Sequence, residues 1–111
     1  MIGKADSMNH IRIPEFCGGI GSAVLTPPFE RGTLTGNVVV ITLEPGNTVG
    51  EHEHTDDSDL YYVLEGEIVM IDDGQEYVCH RGDVEYCTPG HTHGAVNRSD
   101  QPASFLAVGL P

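Results

Sequence analysis

The chain has 111 residues, 39% of them hydrophobic, enough for one folded domain with its own core but too few for two. Its 17 acidic residues outnumber 5 basic ones, leaving a net charge of −12 with Lys4, Arg12, Arg31, Arg81 and Arg98 scattered along the sequence. A surface of that sign repels phosphate backbones and anionic lipids, so neither nucleic acid nor a membrane is an expected partner.

The opening stretch MIGKADSMNHIRI lacks the basic start, apolar run and small-residue cleavage site of an export signal, and a cytoplasmic location is expected. CGGIGS (17–22) does not match a dinucleotide or phosphate loop and reads as a turn leading into the first strand. TPPFERG (26–32) reads as loop. From there the sequence breaks into short segments of strand character, each bounded by glycine, proline or Asp-Gly: 37–43, 59–64, 67–71, 76–79, 83–87, 94–97 and 104–109. Helical periodicity is hard to find, and the pattern predicts an all-β sandwich or barrel. Asp73-Gly74 is a hairpin signal, because a tight two-residue turn needs positive φ angles.

In EIVMI (67–71), Val69 and Ile71 point to one face and Ile68 and Met70 to the other, so this strand is expected to be covered on both sides. The second cover is either a packed segment or another subunit, which suggests a homodimer. The longest apolar run, VVVITL (38–43), is far too short to cross a bilayer. Cys17, Cys79 and Cys87 have no pairing or zinc-site spacing and read as free thiols in a reducing compartment. Asn97-Arg98-Ser99 fits a glycosylation acceptor, but nothing else in the sequence supports that use.

The chemistry concentrates in GNTVGEHEHTDDSDLYYVLEG (46–66). On a strand, His52 and His54 share one face while Glu53 takes the other. Two imidazoles so placed are half of what a metal ion needs. Farther along, GDVEYCTPGHTHGAVN (82–97) supplies His91 and His93.

Together the two stretches resemble the cupin superfamily. Its first motif, G-x5-HxH-x3-4-E-x6-G, is matched by Gly46, His52, His54 and Gly66, with Asp59 in the glutamate position. Its second, G-x5-P-x-G-x2-H-x3-N, is matched by Gly82, Gly90, His93 and Asn97, with Thr88 in place of the first proline. The resemblance implies a small jelly-roll β-barrel at residues 38–111, with residues 1–37 as an N-terminal segment packing on it. It also implies one divalent transition metal (Fe, Mn, Zn or Ni) held by His52, His54, His93 and Asp59. Aspartate is shorter than glutamate by one carbon–carbon bond, roughly 1.5 Å. Either the backbone at Asp59 moves inward, or its carboxylate orients a water or a histidine instead. Asp56 and Asp57 are expected on the loop, in solvent.

Two further residues are candidates for catalysis. His91 is a possible general acid or base, a substitute ligand, or an exposed turn histidine. Tyr61 shares a strand face with Asp59, where it either hydrogen-bonds a substrate or packs as wall. His10 and His80 read as surface residues. By resemblance the expected function is a metal enzyme, dioxygenase- or isomerase-like, acting on a small oxygen-containing metabolite. The alternatives are a non-catalytic binding or sensory module, or a barrel whose histidines are relics.

Overall fold

The computed structural model describes residues 1–30, 32–34 and 36–111; the loop expected at 26–32 includes Arg31, which lies outside the described residues. Ten strands are described: β1 (Ile11–Pro14), β2 (Ser22–Thr26), β3 (Asn37–Leu43), β4 (Thr48–His54), β5 (Ser58–Glu65), β6 (Glu67–Asp72), β7 (Gln75–His80), β8 (Val84–Cys87), β9 (His91–Val96) and β10 (Ala103–Leu110). They form a six-stranded sheet, β1-β2-β3-β10-β5-β8, facing a four-stranded one, β4-β9-β6-β7. Every described pairing is antiparallel. This is a jelly roll, with the core between the two sheets.

Each sheet sends alternate residues inward. β3 contributes Ile41 and Leu43, β5 Tyr61 and Val63, β10 Ala103, Phe105 and Ala107, and β6 Ile68 and Met70, all buried. Small alanines on β10 leave room for the large rings of Phe105 and Tyr61, whose centroids lie 4.6 Å apart. The β6–β7 hairpin turns at Asp73 and Gly74, with φ of 48° and 79°, as the Asp-Gly pair predicts. Val69, on the far side of β6 from Ile68 and Met70, is 6% exposed within the single chain. Val69 thus finds its cover within the chain, while Ile71 on the same face is half-buried.

β1, β2 and β4 are the strands that apolar alternation did not signal. β2 pairs with β3 from Val24↔Thr42 to Thr26↔Val40, and β1 pairs with β2, so the N-terminal segment extends the larger sheet. Thr26 belongs to β2 rather than to the loop. A 3-10 turn at Phe16–Gly18 joins β1 to β2 and lies against β4.

Asn97 is a hub of the fold. Its fully buried side chain donates through Nδ2 to the carbonyls of Leu43 and Gln101, both at 2.8 Å, and accepts through Oδ1 from the Ser99 backbone and hydroxyl. An amide so enclosed and so fully used is not open to glycosylation.

Candidate metal centre

His52 and His54 face inward because of an irregularity in β4. Val49 opposes Ala95 and His52 opposes His93, so three steps along β4 match two along β9. The extra residue is a β-bulge, which reverses the alternation. Val49 points into the core, and without the bulge Glu51 and Glu53 would share its face; with it, His52 and His54 do.

Gly50, inside the bulge, has no room for a side chain. A Cβ there would sit 2.1 Å from the Cys17 carbonyl oxygen and 2.8 Å from the Gly19 amide nitrogen. Across the ladder, a Cβ on Gly94 would sit 2.9 Å from the Val49 carbonyl oxygen. Gly50 thus lets the 3-10 turn close on the bulge, and Gly94 lets β9 close on it.

The three motif histidines converge. His93 Nε2 lies 3.1 Å from His52 Nε2 and 3.1 Å from His54 Nε2. Asp59 Oδ2, from β5 across the barrel, lies 3.5 Å from His93 Nε2 and 3.6 Å from His54 Nε2. One donor atom from each of the four residues lies within 4.8 Å of the others.

The opposite edge of each ring is anchored. Nδ1 of His52 donates to the Gly50 carbonyl at 2.8 Å, that of His54 to Asp57 Oδ1 at 2.9 Å, and that of His93 to Glu85 Oε1 at 2.7 Å. An acceptor at every Nδ1 favours the tautomer with its hydrogen there, so each ring, when neutral, turns its Nε2 lone pair toward the others. Lone pairs facing one another across 3.1 Å would repel, and a cation bound among them would convert the repulsion into ligation. Adjacent ligands about 2.1 Å from an octahedral ion stand about 3.0 Å apart. The donor set fits a divalent transition metal.

The rings differ electrostatically. Burial acts to lower the His93 pKa, but the carboxylates of Asp59 and Glu85 outweigh it and lift it to about 9. His52 moves down, mainly because it is buried and also because His93 and His54 lie beside it. The two carboxylates thus favour positive charge at His93, while burial and the neighbouring rings disfavour it at His52.

Tyr61 is 1% exposed and stacks on His93, with ring centroids 4.4 Å apart and planes at 20°. Burial, then the nearby Asp59, holds its phenol well above the usual range, so it stays protonated. His91 is exposed, and its Nδ1 pairs with Asp73 Oδ2 at 2.5 Å; it is not among the described residues that line the cavity over the donors. Cys87 is fully buried, and burial pushes its thiol up to about 11, which leaves it a neutral filler beside Glu85 and His93. Of the loop carboxylates, Asp57 is exposed yet holds His54. His80 is a surface residue paired with Glu67, and His10 bonds the Thr26 hydroxyl.

Sequence reasoning missed Glu85, Asp57 and the Gly50 carbonyl, the three groups that aim the rings. Glu85 had one legible signal: a carboxylate sharing a strand face with Cys87, between Val84 and Tyr86 of the opposite face, in a strand beside the His93 turn. The other two depend on how the bulge and loop fold back.

An open cavity of about 840 Å³ lies over the donors, lined by His52, His54, Asp57, Asp59 and Tyr61 and by apolar residues of β1, β2 and β3. A jelly-roll barrel with three inward histidines and a carboxylate beside such a cavity defines a class of small barrel proteins with a candidate metal site. The chain belongs to the cupin family: the cupin domain profile matches residues 39–109.

Relatives agree. An oxalate-binding protein of Thermotoga maritima is 28% identical over 97% of this chain and 92% of its own length. The tetracenomycin polyketide synthase protein TcmJ of Streptomyces glaucescens is 35% identical, covering 80% of this chain and 59% of that protein. Among solved structures, a predicted oxalate decarboxylase from Thermotoga maritima superposes with a TM-score of 0.93 at 27% identity, covering 99% of this chain and 98% of the other. A cupin-superfamily sugar phosphate isomerase from Silicibacter pomeroyi gives 0.82 at 28% identity, covering 97% and 74%.

Proposed function

We propose that this chain is a mononuclear divalent-metal protein, with His52, His54, His93 and Asp59 as the ligands, that acts on a small oxygen-containing metabolite. The observation that carries this reading is that His93 Nε2 lies 3.1 Å from Nε2 of both His52 and His54 while each Nδ1 is held by its own acceptor. Three imidazoles suit Fe, Mn, Zn or Ni, and Asp59 offsets part of the ion's charge. Bound there, such an ion would polarise a chelated carbonyl or enolate oxygen or, as iron, support dioxygen chemistry.

The chain's own residues do the rest. Gly50, Asp57 and Glu85 hold the imidazoles in position. Tyr61, neutral and stacked on His93, keeps water from the back of that ring. The segment 1–37, packing against the barrel of 38–111, supplies the outer wall of the cavity. His91 is a candidate general acid or base only if the Asp73 pair opens.

The reaction is dioxygenase- or isomerase-like. Support for the isomerase branch comes from the Silicibacter pomeroyi structure, named as a sugar phosphate isomerase. Protein loaded with Fe(II) should take up oxygen with a catechol, thiol or diketone, or protein loaded with Zn(II) or Mn(II) should wash solvent deuterium into a position beside a substrate carbonyl. If ligands bind the loaded protein and neither reaction occurs, the protein is a binding module. That second reading is favoured by the Thermotoga maritima relative, matched over nearly its full length and named for binding oxalate.

We read the working form as a homodimer in a reducing compartment. Support for pairing comes from the exposed Tyr77, Val78, Val84 and Tyr86 on the neighbouring edge strands β7 and β8. Light scattering at a single-chain mass would remove it.

A further inference from the structure

The cavity over the donors is lined by two unlike sets of side chains. One is His52, His54, Asp57 and Asp59; the other is an apolar wall of Ile11, Ile13, Phe16, Leu25, Phe29 and Leu34, with Glu30 and Asn37 also in the lining. These six come from β1, the 3-10 turn, β2 and the segment after it, all N-terminal to the strands that hold the ligands. Ile11 is 49% exposed and Leu34 38%, so much of this wall faces solvent. A compact polar chelator would meet the donors and gain nothing from the apolar wall. At about 840 Å³ the cavity instead lies within the range of about 300–1,000 Å³ typical of pockets that enclose a ligand of many heavy atoms.

We propose that the N-terminal wall is the specificity surface of the site, and that the ligand is a chelator with a 1,2- or 1,3-dioxygen head and an aryl or branched alkyl body. The head meets the donors and the body lies on Ile11, Phe16, Leu25 and Leu34. This inference rests on the metal reading above, because the head is held through the ion. The body is held by burial of apolar surface alone, so it sets affinity without altering the ligands.

The test uses Co(II)-loaded protein and its visible ligand-field bands, which respond to chelation without any turnover. Pentane-2,4-dione and 1-phenylbutane-1,3-dione share one head and differ by a phenyl in place of a methyl. The phenyl compound should bind at least about tenfold more tightly, which needs only roughly 55 Å² of the ring's surface to be buried. In the double variant Ile11→Ser/Leu34→Ser that preference should fall below about threefold. Pentane-2,4-dione should bind the variant as it binds the wild type, which also shows that the variant is folded.

Equal affinities in the wild type, or a preference the variant keeps, overturns the specificity wall while leaving the metal site standing. A preference that fades as protein concentration rises would mean that a second copy covers the wall, and overturns it too. Failure of Co(II) to produce ligand-field bands, seen before any diketone is added, overturns the metal reading itself.

Discussion

Glu85 accepts a hydrogen bond from His93 Nδ1 at 2.7 Å in the interior of the barrel, and that bond decides which edge of the imidazole faces the other donors. Its second oxygen is buried with no hydrogen-bond partner among the described residues. Burial raises the Glu85 pKa, the bond to His93 pulls it back, and the nearby Asp72 carboxylate acts to raise it. A buried carboxylate with one oxygen unsatisfied is costly, and the cost is offset where it charges and orients a metal-facing ring.

Glu85→Gln keeps the shape but can present an amide N–H to His93 in place of an acceptor. It should weaken metal affinity by about 10- to 100-fold while leaving the fold intact, measured by competition with a chromophoric chelator. Unchanged affinity would mean that packing, and not this bond, sets the ring.

Asp59 is one bond shorter than the glutamate of the cupin motif, yet Oδ2 reaches 3.5 Å from His93 Nε2. Asp59 lies within the sheet, paired on both sides of β5, with Gly109 and with Cys87. Asp59→Asn removes the charge and keeps the size. It should cost at least about tenfold in metal affinity, no less than the loss of an outer partner. Wild-type affinity would place this carboxylate outside the ligand set.

Gly50→Ala should disrupt the site through the backbone. The added Cβ meets the Cys17 carbonyl, so either the 3-10 turn lifts or the bulge shifts. A loss of about 1–3 kcal/mol in urea unfolding is expected, together with weaker metal binding. A stable variant with normal metal content would show that the turn yields freely.

His91 and Asp73 form a surface pair with a pH signature of its own. The hydrogen bond to Asp73 raises the His91 pKa, and the Thr92 amide followed by His91 lowers that of Asp73. What the raised histidine contributes is full below its unfolded pKa and is lost as pH rises through its folded one. What the depressed carboxylate contributes is present above its unfolded pKa and is lost as pH falls through its folded one. The pair is therefore intact between the carboxylate range and somewhat above the ordinary imidazole range. In an NMR titration Asp73→Asn should return His91 towards its ordinary pKa, and His91→Ala should leave metal affinity unchanged.

Much of this was legible in the sequence. Strands such as 37–43 and 104–109 carry apolar residues between turn signals, and β3 and β10 lie where those segments lie. The paired His-x-His and Gly-x2-His motifs name the residues that the fold brings within bonding reach. What stayed hidden has physical causes. β4 is rich in His and Glu and has no apolar face to read, and β1 is four residues at a sheet edge. The bulge at Gly50 follows from contact with the distant Cys17 and Gly19, which local spacing does not encode. Glu85 lies eight residues from His93, and only the return of β9 across the barrel brings them together.

The most direct measurement is metal content by inductively coupled plasma mass spectrometry on untagged protein, beside the His52→Ala/His54→Ala variant. About one equivalent of a transition metal in the wild type and little in the variant is the expected result, since one ion satisfies the converging Nε2 atoms. A wild type that holds no metal, and takes up none from Fe(II), Mn(II) or Zn(II), would contradict the metal centre.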